Sequence, residues 1–241
     1  MTFKSLDLVL PCYNPIPGWE DTIIQSYKIL KDRIQGTDIS FYIVNDGSSR
    51  AIGDVQLAKL KSAIPSFHYL AYPVNKGKGY ALRYGVKETR NEICIYTDID
   101  FPFTEESLLS VYFSLCKEEA DIVVGNRDKA YYEKVPRVRI IISKILRFFI
   151  RFFLGMKISD TQCGLKGFNE KGKQLFLRTT IDRYLFDLEF VHLASNTKNI
   201  RIIPMPVKLK DGVVFSRMNM KVLMTEASGF IKILLKHYLG R

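Results

Sequence analysis

The sequence predicts an α/β protein built on a mainly parallel β-sheet with helices on both faces. Short apolar segments rich in β-branched and aromatic residues alternate along the first half of the chain with longer segments of helical pattern. Such alternation requires crossover connections, which make neighbouring strands parallel. No repeat and no linker rich in Gly, Ser or Pro interrupts the 241 residues, so we expect one domain over residues 1–241.

Five strands and four helices are predicted in the first half of the chain. The strands are expected at 6–11, 39–45, 67–72, 92–98 and 121–126. The helices are expected at 17–34, 51–62, 78–90 and 104–118. The last of these has the clearest start, because Thr104 is a favoured N-cap residue and Glu105 and Glu106 follow it at the positive end of the helix dipole.

The composition is that of a globular protein, with 47% hydrophobic and 25% charged residues, but the net charge of +11 indicates an anionic partner. Nucleic acid, anionic lipid and phosphorylated small molecules are the candidate classes. The four cysteines are scattered singly, which favours free thiols in a reducing compartment and hence the cytoplasmic side. We expect neither a secretory signal nor a transmembrane span, because no apolar stretch is long enough.

A polar cluster follows each predicted strand. The clusters read P-C-Y-N-P, N-D-G-S-S, N-K-G-K-G, D-I-D and G-N-R in chain order. Ligands of parallel sheets bind beyond the carboxyl ends of the strands, so all five clusters are expected at one edge of the sheet. The sequence therefore predicts a binding site at that edge.

The D-I-D cluster places Asp98 and Asp100 two residues apart, so that in an extended segment both carboxylates point the same way. They are candidate oxygen ligands for a hard divalent cation that would also hold phosphate oxygens. Lys78 begins a helix, where a bound anion such as a diphosphate would offset its charge. Arg127 is a natural phosphate partner, and Asp46 could accept hydrogen bonds from a nucleobase.

Seven segments together resemble, in order and spacing, the motifs of family 2 glycosyltransferases with the GT-A fold. They are VLPCYNP, VNDGSS, NKGKGYAL, TDID, VVGNR, ISDTQCGLKGF and YLFDLEF, and they extend over about residues 6–210. Within the family, the polyprenyl-phosphate (dolichyl-phosphate) glucosyl- and mannosyltransferases are the most similar. The resemblance implies a nucleotide-diphospho-sugar transferase fold and transfer of a sugar from a nucleoside-diphosphate donor.

The resemblance also assigns the donor side of the site. It implies that Asp46 binds the base, that Asp98 lies near the ribose and the metal, that Asp100 binds Mg2+ or Mn2+, and that Arg127 binds the phosphates. The remaining candidates for donor binding are Pro11, Tyr13, Asn14 and Lys78. Mannosyltransferases of the family often have a metal-holding Gln two residues after the second Asp, where this chain has Pro102.

The acceptor side is expected in residues 158–189. Asp160, Gln162 and Lys166 are the polar members of the ISDTQCGLKGF motif, and Lys166 would meet a phosphate. Asp187 and Glu189 are the acids of LFDLEF, a segment that reads equally as helix or strand. Transfer to a sugar hydroxyl needs a general base, for which Asp160, Asp187 and Glu189 are the candidates, whereas transfer to a lipid phosphate needs none.

Two basic amphipathic segments decide between these acceptors. Between Lys134 and Ser159 there are seven basic residues and no acid, and in 138–155 the charges line one face of a helix that is otherwise apolar. The C-terminal segment 211–241 has a similar pattern. Both are typical of helices that lie in a membrane interface, although a helix half-packed into the core is the alternative for the first.

These observations predict an inverting hexosyltransferase that acts on a polyprenyl phosphate at the cytoplasmic face of a membrane, without a span of its own. Residues 1–128 would bind the nucleotide sugar and residues 129–210 the acceptor. UDP-glucose is the favoured donor and GDP-mannose the alternative. The competing hypotheses are transfer to a saccharide hydroxyl, a nucleic-acid-binding module and a non-catalytic sensor. Nucleic acid is not an expected partner, because the basic residues lie on strongly apolar segments.

Overall fold

The computed structural model describes residues 3–127, 160–213 and Ile233, and a mixed β-sheet is its central element. The strands are β1 Leu6–Cys12, β2 Ile39–Asp46, β3 Phe67–Tyr72, β4 Ile93–Tyr96, β5 Ile122–Arg127, β6 Lys166–Phe168 and β7 Ile202–Val207. Their order across the sheet is β3-β2-β1-β4-β6-β5-β7. Every pairing is parallel except those of β6, which runs antiparallel to both β4 and β5.

The helices lie on both faces of this sheet. They are α1 Trp19–Arg33, α2 Asp54–Ala63, α3 Lys78–Glu88, α4 Glu105–Cys116, α5 Glu170–Leu177 and α6 Phe186–Ser195. The Thr104 hydroxyl accepts a hydrogen bond from the Ser107 amide and caps α4, as its sequence predicts. The predicted α/β architecture with a mainly parallel sheet is confirmed, as are the five predicted strands and four predicted helices of the first half.

Alternation along the strands divides the core into two layers. On β1, Leu6, Leu8 and Leu10 face the layer covered by α1, α2 and α4, whereas Val9 faces the layer covered by α3, α5 and α6. The second layer contains a group of packed aromatic rings: Tyr96, Phe168, Phe176, Phe186 and Phe190. The central strands of the sheet are thus buried on both faces, which favours ligand binding at the strand ends.

The sequence did not indicate β6, and this strand changes the layout of the site. Its three residues pair with Cys94, Ile95 and Tyr96 on one side and with Ile122, Val123 and Val124 on the other. Consequently the segment 160–165, which leads into β6, runs along the carboxyl ends of β4 and β5. The acceptor motif and the D-I-D motif therefore lie at the same edge.

Some predictions fall outside the described residues. The amphipathic segment 138–155 does, and of 211–241 only residues 211–213 and the buried Ile233 are described. In the described part of the chain, no helix is both long and apolar enough to cross a membrane.

Candidate active site

The two acids of the D-I-D motif lie on a turn at the end of β4. The strand ends at Tyr96, and the Phe101 amide donates a hydrogen bond of 3.0 Å to the Asp98 carbonyl, which closes the turn. Phe101 has a φ of 45°, an uncommon value for a side chain of this size, and its buried ring lies against that of Phe41. The expectation of an extended segment is therefore wrong, because packing of Phe101 fixes a turn here.

Asp98 is held by a lysine from the neighbouring loop. Lys78, the first residue of α3, donates a hydrogen bond of 2.5 Å from Nζ to Oδ1 of Asp98, whose side chain is 39% exposed. Burial alone would lower the pKa of Lys78, but the negative charges of Asp98 and Asp187 outweigh it and raise that pKa. Lys78 therefore carries its positive charge at neutral pH beside a solvent-accessible carboxylate.

Asp100 is exposed at the surface of the same turn. Desolvation by its neighbours raises the pKa of its carboxyl, the negative charge of Asp98 raises it further, and Lys78 and Lys210 oppose both effects. Two carboxylates this close together favour a multivalent cation, because a cation relieves the repulsion between their negative charges.

The loops that follow β1 and β2 are joined by hydrogen bonds through Asn14. Its amide donates to Oγ of Ser48, and its side-chain oxygen accepts from the Ser49 amide at 3.0 Å. Pro11 lies within β1 at partial burial, and Tyr13 is 54% exposed at the rim. The polar clusters after β1 and β2 thus form one surface next to the D-I-D turn.

Asp46 ends β2 and is buried. Its carboxylate accepts hydrogen bonds from the amides of Lys76 and Gly77 at 2.7 and 3.0 Å, and from the side chain of Asn75 at 2.9 Å. In this structure Asp46 therefore fixes the loop between β3 and α3, and a base contact would have to use its remaining acceptor capacity.

The start of α3 is occupied by the protein itself. The amides of Gly79 and Tyr80 both donate to the carbonyl of Asp182, at 2.7 and 3.1 Å. A Cβ on Gly79 would lie 2.4 Å from the Ile181 carbonyl, so the loop at 181–182 packs against the helix only because this residue is glycine. These two amides are therefore not available to a bound anion, and an anion at this helix start would be held by the side chain of Lys78.

Arg127 and Asp160 form a close ion pair at the end of β5. Asp160 Oδ2 accepts from both the backbone amide and Nε of Arg127 at 2.8 Å, and Nη2 of the same arginine lies 2.5 Å from Oδ1. This fork fixes the direction of both side chains. Asp160, one of the candidates for a general base, is buried.

The segment Asp160–Gly164, which we call the acceptor loop, passes directly over Asp98. A Cβ placed on Gly164 would lie 2.7 Å from Oδ2 of Asp98 and 3.7 Å from Nζ of Lys78. Among the described residues, two buried atoms of this loop, Thr161 Oγ1 and Gln162 Nε2, have no hydrogen-bond partner. Buried polar atoms are normally satisfied, so unpaired ones beside a carboxylate cluster indicate a place for a ligand.

Lys166, Asp187 and Glu189 are placed differently from the prediction. Lys166 is fully buried, with Nζ bonded to the Cys163 carbonyl and to Asp187, so its expected contact with an acceptor phosphate is wrong for this structure. Glu189 accepts hydrogen bonds from Thr180 and from the Ile181 amide, which anchors the loop before α6. Neither Asp187 nor Glu189 faces an open site, because both are buried under these partners.

Sequence reasoning missed four contributors to this edge. Gly164 and Thr161 belong to the acceptor motif. The absence of a side chain on Gly164 and the unpaired hydroxyl of Thr161 indicate a role in the site only when the loop is seen to pass over Asp98. Tyr96, the last residue of β4, donates a hydrogen bond of 2.6 Å from its hydroxyl to Asp187. Lys210 lies beside the D-I-D turn, donates a hydrogen bond of 2.6 Å to Glu105 and opposes the rise in the pKa of Asp100, but no sequence spacing pointed to it.

The residues present fit a divalent cation. Asp98 and Asp100 offer oxygen ligands, and the glycine opposite Oδ2 of Asp98 leaves open the space that a Cβ would fill. Within the described ranges no group of three or more His, Cys, Asp or Glu side chains gathers as a metal site. The protein would thus supply two carboxylates, leaving the other positions to donor oxygens and water.

Relatives of known name share this chain's sequence over most of its length. A dolichyl-phosphate beta-glucosyltransferase of Trichomonas vaginalis is 28% identical over 246 residues, which cover 98% of this chain and 74% of the relative. A dolichyl-phosphate beta-glucosyltransferase of Drosophila melanogaster is 28% identical over 207 residues, covering 80% of this chain and 64% of the relative. The matched region thus spans 74% and 64% of the length of these two proteins.

Solved structures share the fold. Glucosyl-3-phosphoglycerate synthase from Mycobacterium tuberculosis, in complex with Mn2+, uridine diphosphate and phosphoglyceric acid, superposes with a TM-score of 0.65 at 14% identity, covering 97% of this chain and 78% of that one. A mannosyltransferase from Pyrobaculum calidifontis, in complex with GDP-Man and Mn2+, has a TM-score of 0.54 at 15% identity, over 86% of this chain and 56% of that one.

The family profile described as Glycosyl transferase family 2 matches residues 7–175. That range contains β1 from its second residue, β2 to β6, the D-I-D turn and the acceptor loop. The match, the fold and the clustered carboxylates agree, and the chain is a glycosyltransferase that belongs to family 2.

Proposed function

We propose that this enzyme transfers glucose from UDP-glucose to a polyprenyl phosphate, with inversion at the anomeric carbon. The named relatives at 28% identity are dolichyl-phosphate beta-glucosyltransferases, which supports both the sugar and the class of acceptor. The structural neighbours hold uridine or guanosine nucleotides, which supports a nucleoside-diphosphate donor.

The observation that carries the proposal is the contact between the D-I-D turn and the acceptor loop. Gly164 approaches Asp98 so closely that a Cβ would collide with its carboxylate. A donor diphosphate bound at Asp98 and Asp100 would therefore have its sugar next to Thr161 and Gln162. Their unpaired buried polar atoms are suited to bonding sugar hydroxyls or the acceptor phosphate.

The proposed reaction needs little proton transfer by the protein. An oxygen of the polyprenyl phosphate attacks the anomeric carbon, and the bond between that carbon and the diphosphate oxygen breaks as the nucleoside diphosphate leaves. The attacking oxygen is already anionic, so no general base is required. This agrees with the placement of Asp160, Asp187 and Glu189, which are all buried in ion pairs or hydrogen bonds.

Positive charge is available where the leaving group develops its negative charge. Lys78 is hydrogen-bonded to Asp98, and Arg127 is oriented by Asp160 at the end of β5, which β6 separates from β4. Fixed cations at such a place lower the energy of the transition state because they need not reorganise. Mg2+ or Mn2+, which Asp98 and Asp100 would hold, supplies further charge neutralisation for the leaving diphosphate.

We also propose that the enzyme works at the cytoplasmic surface of the membrane that carries its lipid acceptor. A polyprenyl phosphate is itself a membrane lipid, so the proposed acceptor requires that the enzyme reach a membrane surface. The four cysteines, all buried free thiols, suit a reducing compartment.

The test is release of nucleoside diphosphate by the purified protein with Mn2+ or Mg2+, for UDP-glucose and GDP-mannose separately, with and without polyprenyl phosphate in detergent. The proposal predicts release that requires the lipid and is faster with UDP-glucose. Lipid-dependent release from GDP-mannose but not from UDP-glucose would contradict the proposed sugar. Release that needs a saccharide instead of the lipid phosphate would contradict the proposed acceptor.

A further inference from the structure

Lys166 and Asp187 form a fully buried ion pair beneath the acceptor loop. Lys166 is 0% exposed, and its Nζ contacts a carboxylate oxygen of Asp187 on α6. The same oxygen accepts the Tyr96 hydroxyl at 2.6 Å. Lysine is almost never fully buried unless it is paired, so the pair is a specific feature of this core.

Lys166 also donates a hydrogen bond to the acceptor loop. Its Nζ lies 2.5 Å from the carbonyl of Cys163, the residue that precedes Gly164. The other end of the loop is fixed by the fork between Arg127 and Asp160. The loop is thus held at both ends, and the unpaired atoms of Thr161 and Gln162 lie between the two attachments.

Stability alone does not explain such a pair. Replacing a buried ion pair by apolar side chains of similar volume is often neutral or stabilising, because the desolvation of two charges offsets their attraction. The pair does, however, fix the position of the Cys163 carbonyl, because Lys166 donates a hydrogen bond to it. The charge of Asp187 also reaches the donor side of the site, where it helps to raise the pKa of Lys78.

We propose that Lys166 and Asp187 are positioning residues, a buried support that holds the acceptor loop against Asp98. Neither residue touches the substrates in this account. Loss of the support would let Cys163 and Gly164 move away from Asp98 and carry Thr161 and Gln162 out of place. The inference rests on the proposed function in so far as the loop takes part in sugar transfer.

The test variant replaces both partners, Lys166→Met with Asp187→Leu, so that no unpaired charge is left in the core. Val191→Ala is the matched control, because Val191 is equally buried on α6 but belongs to the apolar layer and not to the ion pair. Thermal unfolding curves of both variants are measured first, and all later assays are run at a temperature at which both are folded.

The first readout does not depend on activity. Cys163 lies in the acceptor loop and is buried, and burial raises the pKa of its thiol to about 12, so it should resist alkylation in the native protein. We expect iodoacetamide to modify Cys163 at least about tenfold faster in the double variant, with Cys12, Cys94 and Cys116 unchanged by mass spectrometry. Unchanged protection of Cys163, or equal exposure of all four cysteines, would overturn the proposal.

The second readout separates turnover from donor binding. A displaced catalytic loop costs on the order of 10²-fold in rate for a shift of about 1 Å, so kcat should fall by roughly 10- to 100-fold. Affinity for UDP with Mn2+ should stay within about threefold, because Asp98, Asp100 and Lys78 are untouched. A parallel fall of kcat and affinity, or full activity, would overturn the positioning role.

Absence of sugar transfer by the unmodified protein would refute the proposed function and leave the alkylation result to decide the support on its own.

Discussion

The two sides of the active-site edge use their charged residues in opposite ways. On the donor side, Asp98 and Asp100 lie on a turn that solvent reaches, with Lys78 as their partner. On the acceptor side, Asp160, Lys166, Asp187 and Glu189 are all buried, and each is bound to another part of the protein. The sequence presents both groups as polar motifs, and only their burial distinguishes them.

Polar motifs near one site therefore need not all contact the ligand. Exposed carboxylates are available to a cation, whereas buried ones have exchanged water for hydrogen bonds within the protein. The donor side would bind directly, and the acceptor side would act through the shape of its loop. Asp46 is the exception on the donor side, because it is buried and holds the loop before α3.

The largest effect is expected from Asp100→Ala. If the donor-side acids bind the metal and diphosphate, kcat/KM for transfer should fall by on the order of 10²–10³-fold or more, with unchanged thermal stability because Asp100 is exposed. Steady-state kinetics and a thermal melt measure both quantities. Asp38→Ala is the control, an exposed aspartate immediately before β2, away from this edge. Equal activity of the two variants would remove Asp100 from the site.

Gly164→Ala tests the contact between the two sides. A Cβ at 2.7 Å from Oδ2 of Asp98 must displace either the carboxylate or the loop, so kcat/KM should fall by roughly 10- to 100-fold. The control is Gly53→Ala, whose Cβ would approach the flexible end of the Gln56 side chain at 3.1 Å. Activity of Gly164→Ala within twofold of the unmodified enzyme would show that the loop and Asp98 do not need this close approach.

Glu189→Gln should lower the stability of the protein without a large effect on kcat. The carboxylate accepts hydrogen bonds from the amides of Thr180 and Ile181 at 2.7 and 2.8 Å, and losing its charge should cost about 1–3 kcal/mol of unfolding free energy. Denaturant unfolding measures that loss. At a temperature where the variant is folded, kcat should stay within about threefold. A loss of kcat without a loss of stability would restore Glu189 as a catalytic residue.

The smallest effect concerns the proton affinity of Asp100. Its folded pKa is raised above 3.8, and Lys78 opposes that rise, so Lys78→Met should raise the pKa of Asp100 further. The carboxylate is then protonated at a higher pH, and cation binding should weaken earlier on acidification. Carboxyl carbon NMR follows the titration directly. Lys76→Met is the control, because its Nζ lies over the Tyr80 ring. A lower or unchanged pKa of Asp100 in Lys78→Met would contradict the arrangement.

The donor side was largely predictable from sequence, and the acceptor side was not. Strand alternation placed β1 to β5 and brought five polar clusters to one edge, because parallel strands end together. The insertion of β6 depends on pairing with β4 and β5 across the sheet, and three residues carry no periodic signal of such pairing. The burial of Lys166 follows from that insertion. Capping of α3 by the Asp182 carbonyl is likewise a long-range contact without a local pattern.

The proposed acceptor atom is a phosphate oxygen of a polyprenyl lipid. The direct test gives the purified enzyme UDP-glucose labelled with carbon-13 at C1 and a polyprenyl phosphate, and examines the extracted lipid by NMR. We expect a labelled C1 coupled to phosphorus in the β configuration, and no such product from Asp100→Ala. A labelled glucose joined to a hydroxyl, or a phosphorus-coupled C1 in the α configuration, would contradict it.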